Sequence, residues 1–239
     1  MKKPLKVQFA GPSGVGKTTL AKWFEEQFKV EFVSGSVSDL LPSTKEELHK
    51  DMLSHDKKEL YTQDYQILNL RNKLFSSKES YVSDRSFLDS AAYFMYKQAE
   101  AIPQCELEHF LELCKKCLVE QTDLLIVIGF TPYMVKNWVM EDNNKRILNK
   151  YFQAEISYIM RYILTEWGFD FLHPIPAIHR NLYHKDIWLT NGQYYTNTLT
   201  TLYGSTSIMW IDEPGLDTRK KIIDNFIKRY EKGNSYSIF

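Results

Sequence analysis

An α/β fold, with a five-stranded parallel sheet flanked by helices, is predicted by three features of the sequence. Short apolar runs alternate five times with longer segments of helical periodicity between residues 5 and 172, the pattern of right-handed β-α-β units. A glycine-rich stretch, Gly11-Pro12-Ser13-Gly14-Val15-Gly16-Lys17-Thr18-Thr19, joins the first strand to the first helix. The run Asp123–Ile128 is apolar and branched enough for a central strand covered on both faces. The 239 residues, 44% apolar, suffice for a large core domain over 1–175 and a small C-terminal β-rich appendage over 176–239.

Leu5-Lys6-Val7-Gln8-Phe9-Ala10 alternates Leu5, Val7 and Phe9 with other residues, as a strand does. The stretch after it reads G-x-x-x-x-G-K-T, the phosphate-binding loop pattern. Leu20, Trp23, Phe24 and Phe28 then recur at helical spacing, so a helix starts near Lys17. In that setting glycines let the backbone curl until successive N–H groups face a phosphate. The helix N-terminus adds partial positive charge. Gly11, Ser13, Gly14, Val15, Gly16, Lys17, Thr18 and Thr19 are therefore assigned to the phosphates of ATP. Lys17 would bridge the outer phosphates and the Thr18 hydroxyl would ligate Mg²⁺.

A second strand is expected near Val30–Val33, followed by the polar loop Ser34–Ser38. That strand end faces the ligand crevice in doubly wound sheets. Ser34 and Ser36 either touch the acceptor or act as turn and cap residues. Ser43-Thr44-Lys45-Glu46-Glu47 reads as a helix start. A longer helix is expected over Lys57–Ser76, with Asp64, Ile67, Leu68, Arg71, Leu74 and Phe75 on one face. An arginine inside an apolar stripe either reaches an anionic acceptor group, pairs with Asp64, or snorkels along its stem.

Tyr81-Val82-Ser83 is the third strand and ends in Asp84-Arg85. An acid at a strand tip beside a phosphate loop can hold magnesium through water or take a proton from an attacking hydroxyl. The neighbouring arginine can clamp a phosphate. The alternative is a surface Asp–Arg pair at a helix cap. A helix carrying Leu88, Ala91, Ala92, Met95 and Ala99 follows, then another from Pro103 to Glu120, then the fourth strand at Asp123–Ile128. Residues 131–150 are polar and charged, with Lys136, Lys145, Arg146 and Lys150. They read as a lid whose Arg146 neutralises charge during transfer, or as an exposed helix start. The helix after them carries Leu148, Phe152, Ile156, Ile159, Ile163 and Trp167, and Phe169–Leu172 is the fifth strand.

From Ala177 to Ile211 the texture changes. Asp186–Thr190, Asn191-Gly192 and Gln193–Thr196 read as a hairpin on a type I′ turn. Its aromatic residues, with Arg180, His184 and Lys185, either stack bases or pack a sheet. A terminal helix is expected over Asp217–Tyr230.

Thirty basic and thirty acidic residues cancel, which argues against an extended basic surface for nucleic acid. No apolar run reaches membrane-spanning length, and Met1-Lys2-Lys3-Pro4 leads into the first strand with no signal-peptide pattern. Cys114 and Cys117 form a C-x-x-C, either a redox pair or half a zinc site, or part of the helical stripe Leu107, Phe110, Leu111, Cys114 and Leu118 that places Cys114 in a core, the reading taken here. A cytoplasmic protein of a reducing compartment is expected.

The order of phosphate loop, Asp84-Arg85, Asp89 and Ala92-Tyr93 resembles P-loop nucleoside and nucleotide kinases, which implies the P-loop NTPase fold. Thymidylate kinases carry D-R-x-x-x-S-x-x-A-Y, which Asp84–Tyr93 fits except that Asp89 stands for the serine. The aspartate form is similar to the NadR-type, nicotinamide-riboside-kinase-like branch and its phage relatives. The resemblance covers residues 5–173 and implies Asp84 as base or magnesium partner, Arg85 on phosphate or acceptor, and Arg146 as the lid arginine. The segment after the second strand lacks the acidic-arginine-proline signature of thymidylate kinases. The expected function is ATP- and Mg²⁺-dependent phosphoryl transfer to a nucleoside or nucleotide held by Ser34, Ser36, Arg71, Asp84 and Arg85. Two alternatives stand beside it. One is a kinase whose acceptor is a base or terminus within DNA, contacted through the C-terminal appendage. The other is an ATPase or nucleotide-sensing module with no acceptor.

Overall fold

The computed structural model describes residues 5–41, 57–130, 150–168, 194–201, 204–213 and 215–231. Strand β1 (Lys6–Ala10) runs through the glycine-rich loop into α1 (Lys17–Phe28). The short α2 (Val37–Leu40) and the long α3 (Lys57–Ser76) precede β2 (Tyr81–Ser83). Helices α4 (Phe87–Gln98) and α5 (Gln104–Gln121) lead to β3 (Leu124–Ile128). Helix α6 (Lys150–Glu166), β4 (Tyr194–Thr201), β5 (Gly204–Ile211) and α7 (Leu216–Glu231) complete the described elements.

The strands form one sheet in the order β2-β1-β3-β5-β4. β1 lies between β2 and β3 and is parallel to both, with Val7 opposite Val82 and Leu124. β5 continues the parallel set beside β3, and β4 closes the edge antiparallel to β5. Period-two alternation divides the core between the two faces. Val7, Phe9, Leu124, Ile126, Ile128, Met209 and Ile211 pack with Leu20 and Phe24 of α1 and with Ile223 and Ile227 of α7. Leu125, Val127, Ile208 and Trp210 point the other way, toward Leu88 of α4, Phe110 and Leu118 of α5, and Ile156 and Met160 of α6. Cys114 is buried in that second core as a free thiol, its titration pushed well up by burial, as the apolar stripe predicted.

The expectation of five parallel strands needs correction: among the described residues four strands are parallel and the fifth, β4, is antiparallel. Val30–Val33 contributes a single parallel bridge, Phe32 to Val82, rather than a full strand. Residues 204–211, expected within an appendage, form a sheet strand hydrogen-bonded to β3 over Leu124–Ile128. Its partner is set by long-range packing, which local pattern does not encode. The expected strand at Phe169–Leu172, the helix start at Ser43 and the turn at Asn191-Gly192 lie outside the described residues.

This strand order fixes the site. β1 and β2 are parallel neighbours, so the loop leaving β1 and the Asp84-Arg85 pair leaving β2 emerge side by side. A buried amide holds the junction. Gln8 on β1 donates from Nε2 to the Tyr81 hydroxyl at 2.7 Å and accepts from the Phe87 N–H at 3.3 Å, while the Tyr81 hydroxyl donates to the Gln121 carbonyl at 2.5 Å. A buried polar side chain satisfied on both ends ties β1, β2, α4 and α5 together.

Candidate active site

The glycine-rich loop adopts backbone angles that side chains disfavour, with φ +143° at Gly11 and +90° at Gly16. At Gly11 a Cβ would stand 2.4 Å from the Ile128 carbonyl oxygen, a main-chain atom that cannot yield. Gly11→Ala is therefore expected to cost about 1–3 kcal/mol of stability, read as a lowered midpoint in chemical denaturation; an unchanged midpoint would contradict the packing described. The N-terminus of α1 has no side-chain cap and no acid in its first turn. Neither a capping side chain nor an acid of its own first turn thus competes with an anion there.

Lys17 is buried beneath this loop. Its Nζ donates to the carbonyls of Gly11 at 2.6 Å and Pro12 at 2.8 Å, and lies 3.9 Å from Asp89 Oδ1. The Thr18 hydroxyl donates to Asp84 Oδ2 at 2.6 Å. The second oxygen of Asp84 is buried with no hydrogen-bond partner. The residue after Lys17 is therefore in direct contact with the acid at the tip of β2.

Asp89 joins these groups, although its residue type alone did not reveal it. Its Oδ2 accepts from the Ser86 N–H at 2.8 Å and from the Ser86 hydroxyl at 2.7 Å, and the Ser86 oxygen accepts from the Asp89 N–H at 3.1 Å. This capping box starts α4. The other oxygen, Oδ1, faces Lys17. The cap explains only one of the two oxygens. Tyr93, one turn further along α4, lies within electrostatic reach of Arg85. Burial pushes its phenol up to about 12, so it stays neutral beside the arginine. Burial also works against the charge of Arg85, but Asp89, Tyr93 and Asp84 outweigh it and hold the guanidinium above its ordinary range.

The expected acceptor residues are placed differently. The hydroxyls of Ser34 and Ser36 both donate to Asp39 Oδ2, at 2.5 and 2.7 Å, which is turn and cap chemistry. Their loop nevertheless borders the site, since a Cβ on Gly35 would stand 3.0 Å from Arg85 Cβ and 3.2 Å from the Ser83 hydroxyl. Arg71 is buried and donates to the Gly35 carbonyl at 2.8 Å, to the Ser86 carbonyl at 3.2 Å and to the Ser90 hydroxyl. Burial lowers it to about 10. It pins the Ser34–Ser36 loop to the start of α4. The expected partner Asp64 instead pairs with Lys97 at 2.5 Å. Arg146 and the lid expected near 131–150 lie outside the described residues except for Lys150, which opens α6.

Comparison with known proteins agrees with this geometry. No curated protein sequence matches the chain. A deoxyadenosine kinase from M. mycoides, solved with dCMP and dCDP, superposes with a TM-score of 0.61 at 13% identity, covering 95% of this chain and 100% of that one. Thymidylate kinase from Candida albicans gives 0.58 at 11% identity, covering 96% and 93%. The YorR protein of Bacillus subtilis, in complex with phosphorylated GDP, gives 0.50 at 14% identity, covering 95% and 97%. The fold is thus one shared with P-loop nucleoside and nucleotide kinases. A family model described as an AAA domain matches residues 6–176, a span that begins at β1 and takes in the phosphate loop, Asp84-Arg85 and Asp89. With its phosphate loop, its strands β1, β2 and β3 and most of its length inside that match, the chain belongs to the AAA domain family of P-loop proteins.

Proposed function

We propose that this chain is an ATP- and Mg²⁺-dependent phosphotransferase acting on a nucleoside or nucleotide. The observation that carries the reading is the 2.6 Å bond between Thr18 and Asp84, which joins the phosphate loop to a carboxylate whose other oxygen has no hydrogen-bond partner. A hydroxyl and a carboxylate are the hard oxygen donors magnesium selects. Among the described residues no cluster of three or more acids, histidines or cysteines offers a metal cage, which suits an ion held by few protein ligands plus nucleotide phosphates. Bound magnesium would neutralise charge on the transferred group.

The chain's own residues divide the remaining work. The amides of Gly11–Thr19 hold the donor phosphates and Lys17 turns its ammonium to them. Asp84 orients the Thr18 hydroxyl with one oxygen, and its other oxygen takes the acceptor proton or would help to hold magnesium when that ion is bound. Arg85, kept cationic by Asp89, Tyr93 and Asp84, faces the anionic groups passing between donor and acceptor. The names of the superposed kinases support a nucleoside or nucleotide acceptor.

The test is an acceptor screen with γ-labelled ATP over nucleosides, nucleoside monophosphates, nicotinamide riboside and DNA. Label on a small nucleoside or nucleotide is the expected result. Label on DNA would transfer the reading to a nucleic-acid kinase. Label found only as free phosphate, at a rate no acceptor changes, would replace it with an ATPase or sensing module.

A further inference from the structure

We propose that Arg219 is a positioning residue for the donor phosphates: it holds the Val15 carbonyl on the far side of the loop, so that the Gly16 N–H faces the phosphates. The inference rests on the donor-site reading above and adds to it a residue 204 positions away in sequence.

Arg219 lies in the first turn of α7 and is only 3% exposed. Its Nη1 donates to the Val15 carbonyl at 2.6 Å and its Nε to the Glu213 carbonyl at 2.5 Å. A trans peptide unit is planar, with its C=O and N–H opposed. Fixing the direction of the Val15 oxygen therefore fixes the direction of the Gly16 hydrogen, which points away from the guanidinium. That restraint matters at this bond above others. Gly16 has no side chain to hinder a peptide flip and sits at φ +90°. Arg219 lies directly against it, with Nη1 3.7 Å from where a Gly16 Cβ would be.

The guanidinium is also a poor choice for mere packing. Burying it lowers its proton affinity to about 10, a desolvation cost that an aliphatic residue would avoid. It remains charged at neutral pH, so the loop has a cation behind it as well as Lys17 beneath it. Through Glu213 the same side chain anchors the β5–α7 connection, so the last strand and helix are tied to the phosphate loop by one group.

The test uses the full chain, with Arg219→Gln and Arg219→Lys. Calorimetry would measure the affinity for inorganic tripolyphosphate with magnesium, and a melting curve would be taken for each ligand-free variant. The expected result is binding weakened about 10- to 100-fold in Arg219→Gln, with a smaller loss in Arg219→Lys, which keeps the charge but not the guanidinium's fixed, separated donors. A role confined to stability would lower the melting temperature and leave the affinity of the folded protein unchanged; that outcome overturns the proposal. If Arg219→Gln does not fold, the lysine variant decides by the same comparison. Wild-type protein that binds neither tripolyphosphate nor Mg-ATP would bring down the donor-site reading and this proposal together. Wild-type binding with unaltered variants would bring down the proposal alone.

Discussion

Lys17→Ala is expected to reduce phosphoryl transfer by at least about 10²–10³-fold, the scale on which single charge-stabilising donors contribute to a transition state. The expectation follows from where the ammonium already is. Its two short bonds go to Gly11 and Pro12 carbonyls at the mouth of the loop, and both are main-chain acceptors that water can replace at small cost. A triphosphate would exchange those neutral acceptors for anionic ones, and hydrogen bonds between charged partners are about twice as strong. The exchange would keep the ammonium within the loop that it already bonds, at Gly11 and Pro12. The core beneath is built from Phe9, Leu20, Phe24 and Ile128 without help from the ammonium, so the circular dichroism of the variant should stay close to wild type, while the loss of the cation beside the buried Asp89 Oδ1 should lower its melting temperature. Turnover at the wild-type rate in a folded Lys17→Ala protein would remove the donor site from Gly11–Thr19.

The parts of this site that could be read from sequence are those encoded by neighbours in the chain. The phosphate loop is contiguous, and Asp84-Arg85 ends a short strand whose apolar run is visible locally. Parallel pairing of β1 with β2 then brings them together without further information. What escaped depends on distant partners. The run Gly204–Ile211 is polar in its first half and apolar from Ile208 to Ile211, and its place beside β3 comes only from its register with Leu124–Ile128. Arg71 stood out correctly as a buried charge, but nothing local could say that Lys97 takes Asp64 and leaves Arg71 to the Gly35 and Ser86 carbonyls. Asp89 was visible as a departure from the thymidylate kinase pattern, while its cap on α4 and the place of its second oxygen beside Lys17 come from the structure. Arg219 has no signal in its own neighbourhood, since its partner is a carbonyl at Val15.

Asp84→Asn is expected to lower turnover by about 10²–10⁴-fold, the usual contribution of a positioned general base or acid. The substitution keeps the shape of the side chain and one oxygen. The amide oxygen can still accept from Thr18, as Asp84 Oδ2 does at 2.6 Å. The position of the second carboxylate oxygen then falls to an NH₂ group, which can neither take a proton nor face a cation. The stability effect should be small or favourable, because a buried carboxylate oxygen with no hydrogen-bond partner is replaced by a neutral group that is cheaper to desolvate. Titrating magnesium separates the two roles. If the carboxylate mainly supports the metal, excess magnesium should restore part of the rate. If it accepts the acceptor's proton, the rate at saturating magnesium should remain low. A full rate without added magnesium would take Asp84 out of the chemistry and leave Asp89 as the buried carboxylate beside Lys17.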